Sequence, residues 1–390
     1  MYYPITKNEP YHSTLLSLSL LGLYPRSSSA ADLNVSLAAT VGTIVFGLMV
    51  CNIGGIGHLI VSFKGNKGAE MTEDLAVAVG GLGFLLCATF FKIKWRKWAE
   101  FCQSITDFEN YGRPGDFNKV KDRCNLLSLM YSFYISGGMC VYAVISIFET
   151  KCDQDEQNNF CGTLTQIRLP IEGEISPVTI KVIFAFQLLV CIWACVAAGN
   201  LFFLSYESSE FLICHINWLK RNIIGIFDDD DELSRKGQLR FCIEYHNQIL
   251  DWGDDLNQLT KSTLGHMSLI AAIVMGMIGN QITQKYKMFG AAIYLGGYIM
   301  SIFLLSHAGQ RLCDESLSIS EAVFDSKWNE ASNEMRKDLA FMIARSHEPL
   351  TISSLPLGTF NYDLFVTMLK ASYSYLTLLQ QSTSNDEEQP

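Results

Sequence analysis

Six apolar runs, each near the length of a membrane-crossing helix, divide this chain: Ser36–Ser62, Leu75–Phe91, Ser128–Phe148, Val178–Tyr206, Ser262–Ile282 and Met288–His307. About 20 helical residues cross the hydrocarbon core of a bilayer. A helix satisfies its own backbone hydrogen bonds in lipid, so runs of this kind have few alternatives to helix. Charged residues make up only 17% of the 390, below the roughly 25% of soluble domains. A seventh stretch, Gly358–Gln381, has the same length and a different character, with Asn361, Asp363, Lys370, Ser372, Ser374, Thr377 and Gln380 among its apolar residues. Polar groups at membrane depth face a bundle interior or a water-filled path. The polar last helix therefore points either to a pore lining or to packing through small and hydroxyl residues.

The expected fold class is an all-α membrane protein with seven transmembrane helices. Lysine and arginine in the connections set the orientation. Twenty-one of them fall in the N-terminal segment and the loops after spans two, four and six, against six in the other connections. This places the N-terminus in the cytoplasm and the C-terminus outside, the inverse of G-protein-coupled receptors. Trp95, Trp98, Phe101 and Cys102 repeat at three and four, as in part do Leu317, Glu321, Phe324 and Trp328, so the helices are expected to extend into a cytosolic anchor region. The chain divides into a cytoplasmic N-terminal segment (1–35), six spans with a ligand pocket and cytosolic loops (36–307), anchor helices (308–346), a seventh, pore-lining helix with its lead-in (347–381) and an extracellular tail (382–390). Leu15–Tyr24 is too short for a span and reads as an amphipathic surface helix ending at Pro25.

No catalytic signature, phosphate loop or metal-ligand set stands out, so neither an enzyme nor a cofactor is expected. The net charge of -10 gives nucleic acid no footing. Cys242 and His246 share a helix face at i, i+4, but a metal site needs three or four ligands. Asp228–Glu232 reads as a solvated, mobile loop, and the Lys92–Lys97 cluster as the basic flank of the second span. The Asn34–Ser36 glycosylation sequon falls in the cytosol on this topology and is unused there. Outside, the loop 149–177 holds Cys152 and Cys161, the one cysteine pair in an oxidising compartment, as a disulfide candidate or as two free thiols.

In the last stretch Ser374, Thr377, Leu378 and Gln381 lie at offsets of zero, three, four and seven, on one helix face. A ring of leucines there closes a pore by dewetting, with glutamine just beyond it; alternatively this face packs on a neighbouring helix. Lys370 projects close to the same face. A fixed cation in the path repels permeant cations, so the helix is expected to turn Lys370 toward a neighbour.

The residues from Lys370 to Leu379, K-A-S-Y-S-Y-L-T-L-L, resemble the closing pattern K-x-S-Y-S-Y-F-T-L-L of the insect odorant receptor family. Cys313–Ser316, Ala322–Phe324, Trp328, Arg336–Lys337 and Glu348–Leu350 are similar to the segments before it, Leu20–Pro25 to the family's N-terminal L-L-G-L-W-P, and His246 to its histidine before the fifth span. Phe324, Tyr24 and Leu376 depart from the usual tyrosine, tryptophan and phenylalanine. The resemblance implies an odorant-gated, non-selective cation channel, a tetramer with the seventh helices around a central pore, in the plasma membrane of olfactory sensory neurons. Residues Ser374–Ser382 and a short second cytosolic loop differ from the family's co-receptor. They imply a tuning subunit that assembles with that co-receptor and binds a small volatile odorant. The family's gate position falls on Leu378 and its pore glutamine on Gln381.

The family's pocket lies among helices two to six in the outer half of the membrane. On this topology the candidate contacts are Phe84, Met139, Tyr142, Ser146, Ile183, Phe184, Gln187, Met275, Tyr294 and Tyr298. The alternatives are a gustatory receptor-type channel, which shares the fold and partly the closing motif, and a membrane carrier. A carrier calls for charged residues near the middle of several spans, whereas the six runs hold almost none and Lys181 lies at an end.

Overall fold

The spanning helices run well past their apolar segments. The computed structural model describes residues 2–3, 9–27, 29–47, 54–64, 68–149, 159–160, 163–165, 167–168 and 176–387. In chain order the helices are α1 (His12–Leu20), α2 (Ala30–Gly47), α3 (Gly54–Lys64), α4 (Gly68–Ile105), α5 (Phe117–Glu149) and α6 (Pro177–Ile224). They continue with α7 (Glu232–Leu264), α8 (Met267–Thr283), α9 (Met288–Leu317), α10 (Ile319–Asp325), α11 (Asn333–Ser346) and α12 (Tyr362–Glu387). Two antiparallel strand pairs are short: β1 (Asn159–Phe160) with β2 (Ile167–Arg168), and β3 (Ser353–Ser354) with β4 (Gly358–Thr359).

The last six of the seven spans are α4, α5, α6, α7 with α8, α9, and α12; the first expected span, Ser36–Ser62, includes residues 48–53, which lie outside the described ones. Among the described residues, α4, α5, α6 and the α9–α10 rod are long and apolar enough to cross a membrane by themselves. The fifth predicted span lies on α8 and the end of α7, and it is broken: the two helices bend by 41°. Its continuity over Ser262–Ile282 is corrected accordingly. The lead-in to α12 occupies the break, where Leu355 N donates to the Gly265 carbonyl at 2.8 Å. The Gly358–Gln381 span begins later than its sequence suggests. Gly358 belongs to β4, and Asn361 caps α12 by accepting from Leu364 N at 2.8 Å.

The extended helices pack together at one end of the bundle, the anchor end, opposite the loop end that carries β1 and β2. The 48 residues of α6 make a rod of roughly 72 Å, at 1.5 Å per residue. Ser176 caps it and Pro177 takes its first position, where a missing N–H costs nothing. In α7 the residues Leu239, Cys242, Tyr245, His246, Ile249, Trp252 and Leu256 are buried at helical spacing. Glu210 of α6 pairs with Arg123 of α5 and Arg311 of α9.

Two expectations are refined here. The amphipathic N-terminal helix is α1, His12–Leu20, which ends before Pro25 and leaves Leu16 and Leu20 exposed while its other face is deep in the core. Tyr11, Leu15, Leu18, Leu23 and Tyr24 are buried in the main core. Thr14 Oγ1 donates to Glu207 of α6 at 2.8 Å, and Tyr11 N donates to the same carboxylate at 3.2 Å. The acidic run 228–232 is exposed as expected, a bend at 228–230, but its end starts a helix: Asp231 accepts from Ser234 N at 3.0 Å and caps α7. Cys152 lies outside the described residues, as does Cys161.

Candidate ligand cavity and terminal helix

Between α4, α5, α6 and α9 the bundle leaves an apolar cavity of two lobes. Phe84, Met139, Tyr142, Cys195 and Tyr294 line both lobes. The first lobe continues along Ile135, Ile293, Tyr298 and Ser301, the second along Glu73, Val77, Trp193, Gln281 and the short segment Leu164–Thr165. Their volumes are about 60 and 80 Å³. A water-sized group takes about 10–15 Å³ on that measure, so each lobe admits a molecule of only a few such groups.

The glycines of α4 give the cavity its aromatic wall. At Gly80 a Cβ would sit 2.8 Å from the Tyr298 hydroxyl and 3.2 Å from that of Tyr294. A larger residue there would push both tyrosines of α9 out of place. One turn on, Phe84 stacks on Tyr298 with ring centres 5.8 Å apart. Tyr294 meets Tyr298 edge to face at 5.2 Å. These contacts make the wall stiff and apolar, with hydroxyls at its edge.

The second lobe ends in charge. Lys287, the residue before α9, reaches Glu73 of α4 at 2.7 and 3.0 Å, and both side chains are buried. Tyr142 donates to the same carboxylate, and Gln281 Nε2 lies 3.4 Å from the Tyr142 hydroxyl. A second buried pair, His58 with Asp74 at 2.6 Å, joins α3 to α4 beside it.

Of the ten residues expected to contact a ligand, Phe84, Met139, Tyr142, Tyr294 and Tyr298 line the cavity. The other five do not. Gln187 turns its amide to the chain: Leu164 N donates to it at 2.9 Å, and its Nε2 donates to the Thr165 carbonyl at 3.1 Å. Ser146 donates to the Leu164 carbonyl at 2.9 Å. Both hold the segment that roofs the second lobe. Phe184 packs behind it with Ala143 and Leu164, Ile183 is half-buried away from the cavity, and Met275 is buried in the core of α8. The buried polar set of Glu73, Gln281 and Lys287 was not foreseen. These residues sit at the ends of apolar runs, where charge reads as a flank.

α12 packs on α8 and α9 through Leu364, Met368, Tyr375 and Leu379. Its Gln380 reaches Thr283 Oγ1 at 3.2 Å. The opposite side of α12 is open. Lys370, Ser374, Leu378 and Gln381 are exposed there, and Thr377 is half-buried at its border. Among the described residues, no helix covers the predicted face. Lys370 is exposed on the same face, with no helix against it among the described residues.

The family model for the seven-transmembrane odorant receptor matches residues 68–373. The chain belongs to the odorant receptor family. Among curated odorant receptors it is similar to Or2 of Anopheles gambiae, 29% identical over 154 residues, covering 37% of this chain and 39% of that one. It is also similar to odorant receptor 13a of Drosophila melanogaster, 24% identical over 207 residues, covering 48% of each. The aligned parts thus span less than half the length of these receptors. The solved structure of the insect olfactory receptor OR5 from Machilis hrabei in complex with eugenol has the same fold. It matches with a TM-score of 0.78 at 17% identity, covering 95% of this odorant receptor and 97% of that chain.

Proposed function

We propose that the chain is a tuning subunit of an odorant-gated, non-selective cation channel and does no chemistry on its ligand. A small volatile compound occupies the two-lobed cavity. It favours the open arrangement by binding it more tightly than the closed one. The single observation that carries the reading is the pairing of this apolar cavity with a terminal helix whose polar, leucine-bearing face no other helix covers among the described residues.

In the assembled channel, four such faces surround the pore. One or more come from an odorant receptor co-receptor subunit. Leu378 forms the hydrophobic constriction, Gln381 lines the mouth, and Ser374 and Thr377 wet the path below. The N-terminus and the anchor end (308–346) lie in the cytoplasm, and the loop end and the tail (382–390) lie outside, at the plasma membrane of olfactory sensory neurons. The distribution of lysine and arginine supports that orientation.

The test is expression with a co-receptor and recording of odour-evoked current. An inward cation current that depends on this chain and rises within milliseconds is expected. Slow signalling through a second messenger, with no conductance of its own, would overturn the reading, as would saturable uptake of the odorant.

A further inference from the structure

We infer that the second lobe binds a neutral hydroxyl compound, an alcohol or phenol with a small apolar body, whose O–H donates to Glu73. The inference rests on the reading of the cavity as the ligand site and names the chemistry that the site selects.

Glu73 lines the lobe, and Lys287 does not. The ammonium lies behind the carboxylate, 2.7 and 3.0 Å from its two oxygens, and its side chain is 0% exposed. Lys287 also holds a left-handed backbone, φ 46°, which side chains other than glycine and asparagine rarely adopt. A carboxylate offers about four acceptor directions. Lys287 takes one at each oxygen and Tyr142 takes a second at Oε1, so that among the described residues Oε2 is able to accept once more. Gln281 and Thr165 also line this end, and Val77, Leu85 and Trp193 supply apolar contact for the body of a ligand.

Charge decides which donors fit. The Glu73–Lys287 pair is neutral as a unit and buried. An alkylammonium would add a second cation a few ångströms from Lys287, and a carboxylate a second anion beside Glu73, each unpaired at low dielectric. A neutral hydroxyl adds a hydrogen bond to a charged acceptor and no net charge. An ether or alkane of the same shape leaves that acceptor unused.

The experiment compares 1-hexanol, hexyl methyl ether, hexylamine and hexanoic acid on the full chain with its co-receptor, by current and by thermal stabilisation of the purified receptor. The alcohol is expected to act at about tenfold lower concentration than the ether, or better, the ratio a hydrogen bond to a charged group carries. Hexylamine and hexanoic acid are expected to be weaker still. In the double variant Glu73→Leu, Lys287→Met, which leaves no unpaired charge, the alcohol-to-ether ratio is expected to fall to about one. Equal potency of alcohol and ether on the wild type would overturn the inference, as would an unchanged ratio in the double variant. Currents without alcohol preference leave the channel reading standing and sink this one. Alcohol-selective stabilisation without any current does the reverse, and it needs no variant to fold.

Discussion

Gly276 of α8 lies directly against Tyr375 of α12: a Cβ at position 276 would sit 2.8 Å from the tyrosine ring and 2.8 Å from the Ser372 carbonyl oxygen. Five residues further along α8, Gln281 lines the second lobe of the cavity. One helix therefore touches both the cavity and the helix proposed to line the pore. Gly276→Ala forces α8 and α12 apart, an overpacking that costs about 1–3 kcal/mol. The expected result is at least a roughly tenfold lower odour-evoked current per receptor at the surface, the ratio carried by about 1.4 kcal/mol. Recording with surface labelling checks it, and a normal current from normally delivered Gly276→Ala would remove α8 from the path.

Leu378 is 60% exposed on the free face of α12. A hydrophobic ring closes a pore because water leaves it. Leu378→Ser wets that position, and the expected outcome is a standing cation conductance without odorant. Unchanged basal current in cells expressing the variant would move the constriction elsewhere.

Lys370 lies on the same face, one turn before Ser374. Four or fewer like charges around one axis repel permeant cations. Lys370→Gln is therefore expected to raise single-channel conductance to cations, by about twofold or more at low salt, where screening is weakest. A variant that alters assembly but not conductance would turn the lysine toward a neighbouring subunit instead.

His246 lies in the polar part of α7, well outside the apolar stretch of that span. Burial, with Arg345 nearby, pushes its imidazole down to about 4, and its Nε2 meets no hydrogen-bond partner among the described residues. The folded value is below the ordinary one near 6.5. The linked stability is therefore whole above about pH 6.5 and is lost as pH falls toward 4. The melting temperature of the purified receptor is expected to drop by about 2–4 °C or more between pH 7 and 5, and less so in His246→Gln. Identical pH profiles for the two proteins would assign the acid sensitivity to other groups.

The apolar runs made the spans legible because lipid leaves a greasy 20-residue segment few alternatives to helix. The face of α12 was legible for a related reason: helical periodicity sorts Leu378 and Gln381 from Leu364 and Met368 without knowledge of any neighbour. Half of the ten expected contacts line the cavity: Met139 and the aromatic side chains of Phe84, Tyr142, Tyr294 and Tyr298 on α4, α5 and α9. The rest depended on distant pairings. Glu73 and Lys287 are separated by 214 positions, and each by itself looks like the charged flank of a span. Gln187 looked like a polar anchor inside an apolar run. Its true partners are backbone groups of Leu164 and Thr165, in a loop with no periodic signal. The break before α8 was hidden as well, because the group that occupies it comes from Leu355.

The wall shared by the two lobes contains one side chain of unusual suppleness, Met139. Phe84 and Tyr294 beside it are rigid rings. A single substitution at position 139 therefore redraws the boundary between one long chamber and two short ones, while the rings on either side keep their stacking.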